Sequence, residues 1–279
     1  MLETLLLTVK DYRLHCIAAG HGPLVLLLHG FAGSADEWLP TVRVLATAGY
    51  RAVAVDALGF GRSAKPTDAD YGLALQADLY NDLIPLLGAD RAVLLAHSMG
   101  GKFAVATAVL HPQRVAGLVL AGSDGFVQSA HMAQAGMVDW LGDAMLRFAA
   151  RPQFIRQMLA STFYRPESYL TDEILSRSRK AIGDPAYRAA LVALSARYNH
   201  TDLRATGIYA RLNEISAPTL LVWGDHDVFF DLNCAHEAQR AIPTATLAVM
   251  RDCGHFPQIE AARAFRGLLL GFLARQGMW

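Results

Sequence analysis

The chain has 279 residues, 53% of them hydrophobic, which is enough for one large buried sheet and its covering helices. Its 25 basic and 25 acidic side chains balance, so neither nucleic acid nor an anionic membrane is an expected partner. Three widely spaced cysteines, Cys16, Cys234 and Cys253, match no disulfide framework or metal cluster and read as reduced thiols of a cytoplasmic protein. Met1–Lys10 lacks the basic leader of a signal peptide, and no apolar run approaches the ~18 residues of a membrane helix.

Leu5–Val9 and Arg13–Ala18 read as opening strands joined around Asp11. Leu24–Leu28 is a continuous apolar run, as in a parallel sheet covered on both faces. It ends in the glycine-bearing loop His29-Gly30-Phe31-Ala32-Gly33-Ser34, and Ala35–Ala48 follows as a helix. Ala52–Val55 is the next strand, Leu73–Leu87 a helix with Pro85 near its end, and Ala92–Leu95 a third buried strand. After a tight turn come the helix Lys102–Leu110 and the strand Val115–Ala121. The rhythm breaks from Gly125 to about Gly207, where helical periodicity carries many arginines and large apolar side chains. It resumes with the strand Thr219–Trp223, the helix Leu232–Ala241, the strand Thr246–Met250 and the helix Ile259–Ala274. Strand alternating with helix predicts a doubly wound, mostly parallel eight-stranded sheet. The core would be residues 1–125 and 208–279, with a helical cap inserted over 126–207.

The centre of this pattern is Leu94–Gly101, Leu-Leu-Ala-His-Ser-Met-Gly-Gly. A serine at a strand–turn–helix corner holds its hydroxyl clear of the sheet, and the turn needs very small residues two before and two after it. Those are Ala96 and Gly100. The stretch resembles the nucleophile elbow of the α/β-hydrolases, with alanine in the first slot of G-x-S-x-G. In that superfamily the chain order is serine, acid, histidine, and loops at the carboxyl ends of parallel strands share one rim. The resemblance then makes Ser98 the nucleophile and His255, in Asp252-Cys253-Gly254-His255-Phe256, the base. The loop Gly224-Asp225-His226-Asp227 is similar to the family's G-x-x-D and points to Asp227 as the acid, with Asp225 and Asp124 as alternatives. The backbone amides of Phe31 and Met99 would hold the oxyanion. Phe31, Phe256 and Trp140 would line an apolar pocket.

Other polar residues have plainer roles. His97 should point away from the hydroxyl and pack, His29 should shape the oxyanion loop, and Asp56 and Arg62 should brace their own loop. Glu260 opens the last helix, where a carboxylate suits the helix dipole. The spacing of His226, Asp231 and His236 fits no zinc template. No phosphate loop or dinucleotide fingerprint occurs, so no cofactor is expected.

Leu170-Thr171-Asp172 through Arg179, with Arg-Asp-Cys-Gly-His-Phe near the end, is similar to the meta-cleavage C–C hydrolases. Those enzymes cut vinylogous diketo acids with a cap arginine on a carboxylate, a role open here to Arg177, Arg179 and Arg188. The oxyanion loop Gly-Phe-Ala-Gly-Ser differs from their Ser-Gly-Pro-Gly. The sequence therefore ranks hydrolysis of a small or medium acyl ester first, by a monomer or homodimer. C–C hydrolysis and perhydrolysis stand as alternatives, and a non-catalytic receptor on the same fold follows them.

Overall fold

Leu24, Leu26 and Leu28 enter one apolar cluster with Val53, Val55, Leu94 and Ala96, while Val25 and Leu27 enter a second with Ala52, Ala54, Val93 and Leu95. This period-two split means that the sheet is buried on both faces, as the unbroken apolar runs imply. The structure is a computed structural model that describes residues 1–127 and 151–275. Its strands are β1 (Glu3–Val9), β2 (Tyr12–Ala19), β3 (Leu24–Leu28), β4 (Arg51–Val55), β5 (Ala92–His97), β6 (Val115–Ala121), β7 (Thr219–Gly224) and β8 (Ala245–Met250). They form one eight-stranded sheet in the order β1-β2-β4-β3-β5-β6-β7-β8. Pairing is antiparallel for β1–β2 and β2–β4 and parallel across the rest.

The helices of the core are α1 (Leu39–Thr47), α2 (Leu73–Leu86) and α3 (Met99–Leu110) in its first half. α2 and α3 pack on the first apolar face, and α1 packs on the second. Nearly all of α3, Met99 through Val109, is buried, so it is covered on all sides rather than striped, with Lys102 and Thr107 its buried polar residues. Between β6 and β7 the described residues hold helices and 3-10 turns but no strand. They include α4 (Pro152–Ala160), α5 (Pro166–Tyr169), α6 (Asp172–Gly183) and α7 (Pro185–Ser195). Thr171 and Asp184 cap the last two, accepting from the N–H groups of Ile174 and Ala186. The chain then returns through α8 (Leu232–Ala241), α9 (Pro257–Glu260) and α10 (Ala262–Arg275). Trp140 lies outside the described residues.

Two expected helices differ. Ala35–Ala48 opens as a 3-10 turn over Ala35–Trp38 before α1, which carries Pro40 in its first turn. The closing helix is broken at Ala261 (φ −116°, ψ 35°), which separates α9 from α10. Among the described residues no helix is long and apolar enough to cross a membrane.

Candidate active site

Ser98 sits between β5 and α3 at φ 51°, ψ −121°, a left-handed conformation that a non-glycine residue holds only when its surroundings fix it. They do so on both sides. The Ser98 N–H donates to Ala121 O (3.0 Å), and Ser98 O accepts from Gly101 N (2.9 Å) and Asp124 N (3.2 Å). The small residues are contact requirements. A Cβ on Gly100 would stand 2.6 Å from His29 O, and one on Gly30 would stand 3.0 Å from Ser98 Cβ. The elbow and the loop after β3 thus approach to van der Waals distance because neither carries a side chain there.

His255 follows β8 and Asp227 follows β7, so the parallel register brings both to the rim that holds Ser98. His255 Nδ1–H donates to Asp227 Oδ2 (2.9 Å), and Asp227 Oδ1 accepts from the N–H groups of Phe229 (2.9 Å) and Phe230 (3.0 Å). Both oxygens of this carboxylate are in use, and it fixes the tautomer of the imidazole. Gly122, at φ 47° just past β6, leaves room for the pair, since a Cβ there would lie 3.1 Å from Asp227 Oδ2. The alternative acids are engaged elsewhere. Asp225 takes His226 Nδ1 (2.7 Å) and the Cys253 N–H (3.2 Å). Asp124 forms a buried ion pair with Lys102 (2.7 Å), one helical turn beyond Ser98.

His29 Nδ1–H donates to Gly30 O (2.7 Å) and its Nε2 accepts from the Ala57 N–H (3.1 Å), so the ring bridges two loops as a neutral imidazole. Burial lowers its pKa, consistent with that state. Asp56 holds the same loops by accepting from the N–H groups of Ala35 (2.6 Å) and Arg62 (2.8 Å). Phe31 is 54% exposed at the rim, with its ring edge-on to Phe60 (6.0 Å). Phe60 in turn meets Tyr187 of α7 (5.8 Å). Phe256 packs on His97 (4.7 Å) and Phe163 (4.9 Å), closing one side of the site.

His97 does more than pack. Its Nε2–H donates to the His255 carbonyl (2.8 Å), and burial followed by the neighbouring His255 ring keeps its pKa well below the ordinary value. Glu260, read from the sequence as a helix-dipole carboxylate, is also turned toward the site. It accepts from the backbone N–H groups of Gly254 (3.1 Å), Phe256 (3.0 Å) and Tyr164 (2.8 Å). The available signal was an acid five residues after the histidine in a proline-started turn. Of the three candidate arginines, Arg188 is buried and donates to Ile182 O (2.9 Å) and Gly183 O (3.0 Å) at the end of α6. Arg179 is exposed, whereas Arg177 is half-buried and lies in electrostatic reach of Glu37 beside the loop after β3.

The α/β hydrolase fold family matches residues 23–262, and the chain belongs to that family. A 2-hydroxy-6-oxononadienedioate/2-hydroxy-6-oxononatrienedioate hydrolase of Cupriavidus pinatubonensis (strain JMP 134 / LMG 1197) is 32% identical, over 95% of this chain and 93% of its own. A 2-hydroxy-6-oxo-6-phenylhexa-2,4-dienoate hydrolase of Burkholderia cepacia is 33% identical with the same coverage. The solved hydrolase for that phenylhexadienoate from Rhodococcus sp. strain RHA1 superposes with a TM-score of 0.83 at 22% identity, over 98% of this chain and 100% of that one, a likeness of fold. The chain's relatives are thus meta-cleavage product hydrolases. This corrects the ester-hydrolase reading, because the relatives are named for dienoate substrates that contain no ester.

Proposed function

We propose that the protein hydrolyses a carbon–carbon bond in a 2-hydroxy-6-oxo-2,4-dienoate. The observation that carries this reading is the 33% identity, over 95% of the chain, to a relative named for that substrate class. The strained Ser98 turn and the His255–Asp227 hydrogen bond support it, because such a cleavage needs an attacking oxygen and a proton shuttle. In the diketo form of the substrate, Ser98 Oγ adds to the C6 carbonyl while His255 Nε2 takes its proton, and Asp227 orients the imidazole. The amides of Phe31 and Met99 receive the oxyanion. Collapse breaks C5–C6, the electron pair runs through the C3–C4 double bond to the C2 oxygen, and His255 returns its proton to the dienolate, which leaves as the 2-hydroxydienoate with an acyl-serine behind it. Water activated by His255 then releases the acid and regenerates Ser98. The helical segment between β6 and β7 serves as the cap, and Arg177 is its cation for the substrate carboxylate and the charge developing at C2.

Loss of dienoate absorbance, with product acids quantified, tests this directly. Turnover of 2-hydroxy-6-oxo-6-phenylhexa-2,4-dienoate is expected to release one benzoate per substrate. Ser98→Ala should lower kcat by about 10³-fold or more. Failure of the folded wild-type protein to consume either this compound or the nonadienedioate overturns the reading.

A further inference from the structure

The backbone around His255 is held at every polar group, and much of that hold comes from the segment Thr162–Tyr164 after α4. The His255 N–H donates to Thr162 O (2.9 Å), and its carbonyl accepts from His97 Nε2–H (2.8 Å). The amides on either side, Gly254 and Phe256, both end on the carboxylate of Glu260, which also accepts the Tyr164 N–H. Glu260 is 8% exposed, and its own carbonyl accepts from the Tyr169 hydroxyl of α5 (2.9 Å). The approach is close enough to need glycine, since a Cβ on Gly254 would stand 2.7 Å from Tyr164 N and 2.8 Å from Thr162 O.

We propose that Glu260 is a positioning residue for His255: it clamps the backbone on both sides of the base to cap residue Tyr164, so the base is set only while Thr162–Tyr164 is docked. The inference rests on the assignment of His255 as the base. A buried carboxylate suits this work because bonds from N–H to an ionised acceptor are shorter and stronger than neutral ones, and two oxygens supply the acceptor sites that three donors require. One charge thereby couples two segments that are 96 residues apart. The consequence is mechanistic: undocking the cap segment removes the His255 N–H partner and one Glu260 partner together.

The test compares wild type with Glu260→Gln, Glu260→Asp and Tyr169→Phe. It follows kcat and KM on the dienoate, the rate of fluorophosphonate labelling at Ser98, the melting temperature, and the low-field proton resonance of His255 Nδ1–H bound to Asp227. Glutamine replaces one acceptor by an NH2 donor, so a backbone N–H loses its partner. With Glu260→Gln, kcat and labelling should fall about 10–100-fold, as for a base displaced by about an ångström, with KM changed by less than about 3-fold. The low-field resonance should broaden or move. Tyr169→Phe leaves the carboxylate in place and should stay within about 3-fold of wild type in kcat. If Glu260→Gln does not fold, Glu260→Asp, which keeps the charge but shortens its reach, is read by the same measures. Wild-type kcat and resonance in the folded variant overturn the proposal, as does a loss that only tracks the melting temperature and vanishes well below it. A wild-type protein that neither labels nor turns over dienoate would instead sink the catalytic assignment, while the resonance still reads whether Glu260 places His255.

Discussion

Glu37 shows how strongly one side chain feels where the fold puts it. It lies against Gly33 of the loop after β3, and its Oε2 is shut away from solvent without a hydrogen-bond partner among the described residues. Burial raises its pKa to about 7 from an ordinary 4.5, although Arg177 draws it down. Asp36 and Asp56 push it up further. A carboxyl raised in the folded state binds its proton more tightly there than in the unfolded chain. Its favourable contribution is therefore complete below pH 4.5 and lost as the pH rises through about 7. Glu37→Gln should remove that loss. Denaturant unfolding at pH 5 should barely distinguish the variant, and at pH 8 it should be more stable by on the order of 1–3 kcal/mol, allowing for partial exposure. An equal effect at both pH values would show that the carboxyl is ionised throughout. Asp124 gives the opposite lesson. It stands where some family members place the triad acid, yet its charge is matched by Lys102, and a buried pair of this kind is costly to break from either side.

At the scale of elements, the sequence was legible wherever a local rule controls the outcome. β3, β5 and β6 read as buried strands because both faces are covered, and the Ser98 turn read as an elbow because Ala96 and Gly100 are its steric signature. The pairing of Asp227 with His255 was legible only through the family pattern, since nothing in Gly224–Asp227 alone separates it from Asp225. The break at Ala261 was not legible, because helical spacing continues across it and the bonds that bend the chain run from Glu260 to Gly254, Phe256 and distant Tyr164. The reaction itself was misread for a related reason. An elbow, a base and an oxyanion hole serve ester and C–C cleavage alike, so the choice between them rests on the substrate pocket. Helix packing can be tested with paired glycine substitutions. A methyl added at Gly267 in α10 would meet nothing within 4 Å, so Gly267→Ala should stabilise the protein by about 0.5–1 kcal/mol. Gly100→Ala would drive a methyl toward the backbone oxygens of His29 and Leu28 and should cost about 1–3 kcal/mol together with most of the activity. Thermal unfolding separates the two, and a stable, active Gly100→Ala protein would refute the close packing of the Ser98 turn on the loop after β3.

Over the whole molecule, the sheet and the helical segment are held by different means. β3, β5 and β7 are buried along their entire lengths, so their amides open only when the core does. In α4 only Ile155 is buried, and in α6 only Leu175 and Ile182 are, so each can open at the expense of few apolar contacts. Hydrogen exchange should therefore be slowest in β3, β5 and β7 and faster by orders of magnitude in α4 and α6. The amides of Tyr164, Gly254, His255 and Phe256 should depart from their neighbours and exchange at one common rate, because they share Glu260 and Thr162 as acceptors. Glu260→Gln should speed those four while leaving β5 unchanged. Were Tyr164 to exchange with α4 while His255 exchanged with the sheet, the Thr162–Tyr164 segment and the histidine loop would be independent. Docking of that segment would then have no route to His255 through this contact.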